Sequence, residues 1–347
     1  MTFGARVAAA IAEIRFRGVV PIVLLGILIL ALGAYTAPQE SAFLTSLNLH
    51  NLLLEAMPLV LVSMGQTCVL LVGGFDVSVG ALMTLCVVVA SYTLADTTST
   101  LGMIPGALLL VGIGLAVGLF NALLILVFRL PSIIATLGTF SILQGISFWL
   151  RAFPSGSTST DVVSALTTSW SFVPLAFIGV VVLALAADVW LYRSRTGMAL
   201  RAVGLDETSS RRIGIRTTHM VVLAFVACSV FASIAGFYQA AYSPSGSPIV
   251  GNQALQSIAA GVLGGASLAG GRGSFFGTLL AALFLTLIGN VLALFHQPTE
   301  YADMTIGVLI LVALVLYQGP ELLARLRTSR GGVGRLRAGQ AEAEESA

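Results

Sequence analysis

From residue 19 to residue 318 the chain repeats one pattern: a long apolar run, a short polar break, another run. The runs cover about 19–37, 50–72, 78–95, 102–128, 131–150, 171–192, 217–242, 253–269, 274–295 and 300–318. Roughly 20 residues of α-helix cross about 30 Å of hydrocarbon. The runs are continuously apolar, whereas strands of a membrane barrel alternate with period two, so helices are the expected spanning structure. The pattern predicts an all-α, polytopic helical membrane protein with about ten transmembrane helices. The 253–269 run is short and rich in Gly and Ala, which predicts a re-entrant or broken helix. The first run follows Arg15 and Arg17 and resembles a signal peptide, but it exceeds a signal core and many spans follow, so an uncleaved first helix is expected.

Charge gives these helices a direction. Only 9% of the 347 residues are charged, 57% are apolar, and all 17 basic residues are arginine. With the N-terminus in the cytosol and the spans alternating, sixteen arginines fall on the cytosolic side and only Arg151 falls outside. Positive charge collects on the cytosolic side of membrane proteins, so both termini are predicted to be cytosolic. The expected division is a cytosolic N-terminal segment (1–18), a transmembrane domain (19–320) and a disordered cytosolic tail (321–347), basic and then acidic. The lack of lysine excludes a standard P-loop, which needs one to reach the β/γ-phosphates, and Schiff-base chemistry. Cys68, Cys86 and Cys228 all lie in apolar runs, an odd set that reads as packing residues. His50, His219 and His296 are far apart and form no metal-ligand spacing. No paired carboxylates or nucleophile–base pair suggest an enzyme.

Two polar features interrupt the pattern. The loop RSRTGMALRAVGLDETSSRRIGIRTTH (193–219) is dense in charge and reads as a short helix (MALRAVGL), a turn, and a second short helix that Asp206 can cap. It is either a positive-inside anchor or a docking surface for a cytosolic partner. The glycines at 197, 204 and 214 favour a shaped surface. The second feature is GGFDVSVG (73–80). A charged side chain at mid-bilayer costs at least about 2.5 kcal/mol, so Asp76 should face away from lipid. Either Gly73 and Gly74 end one helix while Asp76 or Ser78 caps the next, or the stretch is a broken helix beside a solute path. Gln66, Asn121, Thr136, Gln144, Asp188 and Asn290 are further polar residues within spans, suited either to a polar path or to bonds between helices. Gln66, Asp76, Ser78, Asn121, Thr136, Gln144 and Asn290 are the candidates for a translocation pathway.

Three stretches resemble, in order, the sugar-type ATP-binding-cassette (ABC) importer permeases, the ribose/xylose/autoinducer-like family. GGFDVSVG (73–80) is similar to that family's GG-[IF]-D-[LI]-S-V-G signature. IAAGVLGGASLAGGRGSFFGTLL (258–280) is similar to its second signature, and LPSIIATLGT (130–139) is a weaker third match. The 193–216 segment resembles the family's coupling loop, which lies in a groove on the ATPase subunit. The matching positions are Thr196, Gly197, Arg201, Ala202, Gly204, Glu207, Arg212, Gly214 and Ile215. Here Asp206 stands where the family usually carries Asn, and Thr208 and Ser209 stand near its two alanines. Ala254, Gln256 and Ser257 stand where members often carry acids.

The resemblance implies an inner-membrane permease subunit that translocates a monosaccharide or related small polar solute by alternating access. It implies three partners: a cytosolic ABC ATPase, a periplasmic or lipid-anchored substrate-binding protein, and a second permease copy, identical or paralogous. ATP and Mg would be bound by the ATPase, with no cofactor, metal or nucleic acid on this chain. The alternatives are an ABC permease for branched-chain amino acids or nucleosides and an ion-coupled secondary transporter. The last usually keeps ionisable residues in its spans, and these are nearly absent here.

Overall fold

The computed structural model describes residues 3–95, 102–242 and 245–298, followed by residues 300, 301, 304, 305, 307–309 and 311; side chains are described from residue 19. Among the described residues, seven helices are long and apolar enough to cross a membrane. They are α1 (Phe3–Thr36, its apolar part starting at Val19), α2 (Ser46–Leu71), α4 (Met103–Leu126), α5 (Ser132–Leu150), α7 (Leu175–Arg193), α10 (Thr217–Tyr242) and α12 (Phe275–Leu294). Two more apolar runs are helical but shorter, α3 (Val79–Thr93) and α11 (Gln253–Leu263). At 1.5 Å per residue they rise only about 22 Å and 16 Å, less than the hydrocarbon thickness. Nine of the ten expected runs are thus helices, and α11 is the short, broken one anticipated from its glycines. The tenth, 300–318, lies partly outside the described residues, and the 321–347 tail wholly so.

Burial sorts the helices. α2 is enclosed over nearly its whole length, whereas α1, α4, α5 and α7 leave most of their apolar surface open. A helix apolar on every side belongs either in a protein core or against lipid, and the chain uses both solutions. Around α2 stand α10, α12 and α11, with α4 and α3 against α10. The approach is close because small residues sit at the crossings: a Cβ on Gly65 would meet Cys228 O at 2.8 Å, and one on Gly118 would meet the Val226 Cα at 2.6 Å. Dense packing of this kind holds helices together where apolar burial gives no advantage over lipid.

The break before α7 contains structure that hydropathy does not reveal. A short helix, α6 (Thr160–Thr167), precedes a two-residue hairpin of β1 (Ser169–Trp170) and β2 (Val173–Pro174), so α7 begins at Leu175 and not at 171. Ser159 N-caps α6 through the Asp161 N–H. Residues 303–347 form a second unit, whose described part is helical as far as Leu311.

Candidate functional site: a buried polar knot and a docked helical elbow

The loop between α2 and α3 holds the most enclosed carboxylate among the described residues, Asp76. Gly73 adopts a left-handed φ of 76° and ends α2. Asp76, Gln66, Ser78, Asn121 and Thr136 are then all fully buried together. Asp76 Oδ1 accepts from the Ser78 N–H (2.9 Å) and from Ser78 Oγ (2.5 Å), and Oδ2 accepts from Asn121 Nδ2 at 3.4 Å. Asn121 Nδ2 also donates to Ser78 Oγ (2.9 Å), and Thr139 Oγ1 donates to Asn121 Oδ1 (2.6 Å). With the Gln66 amide turned to satisfy both of its atoms, its nitrogen donates to Asp76 O (3.0 Å) and its oxygen accepts from the Asp76 N–H (3.2 Å). On the other side, Ser132 Oγ and Thr136 Oγ1 accept from the Phe75 and Val77 N–H groups, each at 3.2 Å. A buried carboxylate needs donors on both oxygens, and here α2, α4 and α5 supply partners for the whole loop. The helix-end reading holds at Gly73, which ends α2, but neither Asp76 nor Ser78 caps α3: Asp76 accepts from the Ser78 N–H, one residue ahead of the helix, and Ser78 makes no side-chain cap bond.

Beside this knot the two short helices begin against each other. A Cβ on Gly80, at the start of α3, would meet Ala254 Cβ at 3.4 Å and Val250 Cγ1 at 3.5 Å, at the start of α11. Gln144 of α5 reaches the segment leading into α11 and donates to Pro248 O at 2.9 Å. Its Oε1 and Gln253 Oε1 are buried without a hydrogen-bond partner among the described residues. Asn290 stands apart from this group: it and Asn48 exchange amide bonds of 2.9 and 3.2 Å, tying α12 to α2 at the opposite end of α2 from the knot.

The charged loop folds as its pattern predicts. α8 (Arg195–Leu205) is followed by α9 (Glu207–Arg212), and Asp206 caps α9 by accepting from the Ser209 N–H (3.1 Å) and Ser209 Oγ (2.6 Å). The Ser209 hydroxyl and N–H hold the Asp206 carboxyl below the usual carboxylate range. The cap is therefore complete at neutral pH and is lost only as the pH falls below the ordinary Asp value.

Two faces of this elbow differ. Met198, Leu205 and Ile213 are exposed apolar residues among the exposed Asp206, Glu207, Arg211 and Arg212; Glu207 and Arg211 pair at 2.7 Å. Gly214 is open too, and Thr196, Ala202 and Ile215 are half-buried. The other face is pressed on the chain's own backbone. A Cβ on Gly197 would overlap Leu191 Cα and Trp190 O (2.6 Å each), and one on Gly204 would overlap Leu71 O and Gly271 N. Gly197 and Gly204 therefore fit the elbow to the rest of its own chain, while Glu207, Arg212 and Gly214 face outward.

The elbow meets the second glycine-rich stretch through Arg201, which the resemblance placed in the coupling loop but which turns inward, and through Tyr192, to which the sequence reading gave no role. Gly270 and Gly271 take φ values of 89° and 76°, and the Gly271 N–H donates to Leu71 O at 2.9 Å. Arg201 stacks over Tyr192 (4.4 Å to the ring centroid), and its Nε donates to Gly271 O at 3.4 Å. Tyr192 Oη donates to Gly273 O at 2.9 Å. Asp188 of α7 accepts from Ser274 Oγ (2.8 Å) and from the Phe275 and Phe276 N–H groups (2.7 and 3.1 Å), the free donors at the start of α12. The signal was present in the sequence as an acid within an apolar run; its partner, 86 residues later, was not.

Comparison with known proteins agrees with this architecture. Residues 48–314 match the family described as branched-chain amino acid transport system / permease component. The autoinducer 2 import system permease protein LsrC of Enterobacter sp. (strain 638) is 34% identical over 303 residues, covering 83% of this chain and 84% of that protein. LsrC of Yersinia pseudotuberculosis serotype O:3 (strain YPIII) is 31% identical over 271 residues, 75% of this chain and 74% of that protein. LsrC of Yersinia enterocolitica serotype O:8 / biotype 1B is 30% identical over 300 residues, 83% and 79%. No solved structure matches the chain. With apolar helices long enough to span a bilayer, a glycine-shaped elbow and relatives matched over most of their length, the chain belongs to the branched-chain amino acid transport system / permease component family, as a multi-pass permease subunit of an ABC importer.

Proposed function

We propose that this permease imports a small polar solute of the autoinducer 2 or monosaccharide class by alternating access, driven by a separate cytosolic ABC ATPase that docks on α8–α9. The two-faced elbow carries the reading. Its inward face is fitted to the permease through Gly197 and Gly204, and Met198, Leu205 and Ile213 stay exposed in the same segment as the exposed Glu207, Arg211 and Arg212. Exposed apolar residues mixed with charged ones suit a protein interface, and a charge anchor for lipid headgroups has no use for the fitted glycines. ATP and Mg belong to that ATPase, a binding protein delivers the solute on the far side, and a second permease copy completes the pathway. The arginine asymmetry supports ten spans with both termini cytosolic.

The start of α3 and α11 is the best place for the solute. Interrupted helices are where transporters tolerate unwound backbone, and Gln144 Oε1 is an acceptor with no hydrogen-bond partner among the described residues. The Asp76 group supports this place from behind, because its own polar atoms are engaged with one another. Asn290 acts as a tie between helices.

The description of the matched family favours a second reading, a branched-chain amino acid as cargo. Uptake into proteoliposomes holding the permease, its ATPase and its binding protein decides between them. Labelled autoinducer 2 or D-ribose is expected to accumulate on addition of ATP and leucine is not; accumulation of leucine alone would overturn the proposed cargo.

A further inference from the structure

We propose that Asp188, Tyr192 and Arg201 form a clamp that makes the α7–α8 elbow, the 270–273 turn and the start of α12 one moving part, so that these three residues position the step that converts a push on α8 into movement of the spans. The inference rests on the docking reading above and names the residues that would transmit it.

A push on α8 reaches the spans only if α8 is fixed to something that moves them. α8 follows α7 after a single residue, Ser194, whose hydroxyl accepts from the Gly197 N–H at 2.9 Å. Gly197 lies directly on the last turn of α7. Nothing there lets α8 swing on its own, since a packed glycine crossing is lost by small rotations. The far end of α8 is fixed to different elements. Gly204 lies on Leu71 O, the end of α2, and on Gly270 and Gly271, with no room for a side chain between them. Three side chains then bridge the same seam. Arg201 reaches Gly271 O while stacked on Tyr192, Tyr192 Oη reaches Gly273 O, and the Asp188 carboxylate takes three donors at the start of α12. A carboxylate at a helix N-terminus is favoured by both the free N–H groups and the helix dipole.

The consequence is directional. α2 and α12 are the two most enclosed of the long helices, and the turn that follows α2 leads straight into the Asp76 loop. Gly73 of that turn lies beside Ala269 O, so the loop that opens α3 is seated on the same 270 turn. Movement of α8 therefore arrives at the start of α12, the end of α2 and the approach to α3 together.

The test uses the full transporter in proteoliposomes, with Mg-ATP and labelled autoinducer 2 and D-ribose as probes. Asp188→Asn and Tyr192→Phe are expected to assemble with the ATPase and hydrolyse ATP as the unaltered permease does, while solute imported per ATP falls about tenfold, within the range for coupling between sites. Tyr192→Phe keeps the ring under Arg201 and decides the matter if Asp188→Asn fails to insert. Spin labels on Arg195→Cys and Ala269→Cys are expected to keep one separation in the nucleotide-free and ATP-bound states; the three native cysteines are buried. Unchanged import per ATP in Tyr192→Phe, or a changed label separation, overturns the clamp alone. Normal assembly of Ile213→Asp with the ATPase overturns the docking reading and the clamp with it.

Discussion

Asp76 illustrates what a carboxylate requires inside an apolar chain. Its oxygens take Ser78 and Asn121, while Gln66 holds its backbone. Asp76→Asn puts an NH2 where a donor now points and leaves one hydrogen bond without an acceptor, a loss of about 1–3 kcal/mol for a buried group. A lower melting temperature in detergent checks this, with exposed Asp161→Asn unchanged as the comparison. Gln144 is the opposite case, a residue whose Oε1 has no hydrogen-bond partner among the described residues. Gln144→Leu is expected to raise the KM for uptake by roughly fivefold to tenfold, about one hydrogen bond, with the ATPase still bound.

At the scale of elements, the elbow separates folding from docking. Gly204→Ala places a methyl on Leu71 O and Gly271 N, two backbone atoms that cannot step aside. It should lift α8 off α2 and lower both yield and thermal stability. Glu207→Arg and Ile213→Asp sit on the open face, so they should keep the melting temperature and lose the ATPase in co-purification. Loss of folding in that pair, or none in Gly204→Ala, would reverse the assignment of faces. The fitted face also shows what the sequence resemblance could not sort: Gly197, Gly204 and Arg201 belong to the same loop motif as Glu207 and Arg212, yet the first three turn inward.

For the whole molecule, the expected orientation puts α8–α9 in the cytosol and α6 outside. Ser209→Cys should then react with a membrane-impermeant maleimide only in inside-out vesicles, and Asp161→Cys only in intact cells; both are exposed. By itself the sequence determined the apolar spans and their helical form, the shortness of α11, the paired helices of the elbow with Asp206 as their cap, and the class of the protein. These follow from local quantities: run length, charge sign, turn chemistry and motif order. Only the tertiary structure decided that α2 is enclosed while α4 and α7 are open, for continuous apolarity suits a core and lipid equally. Tertiary structure alone also joined Asp188 to Ser274 and seated Gly204 on Leu71. Those contacts join residues far apart in sequence, and no local pattern records which apolar or glycine-lined surfaces will meet.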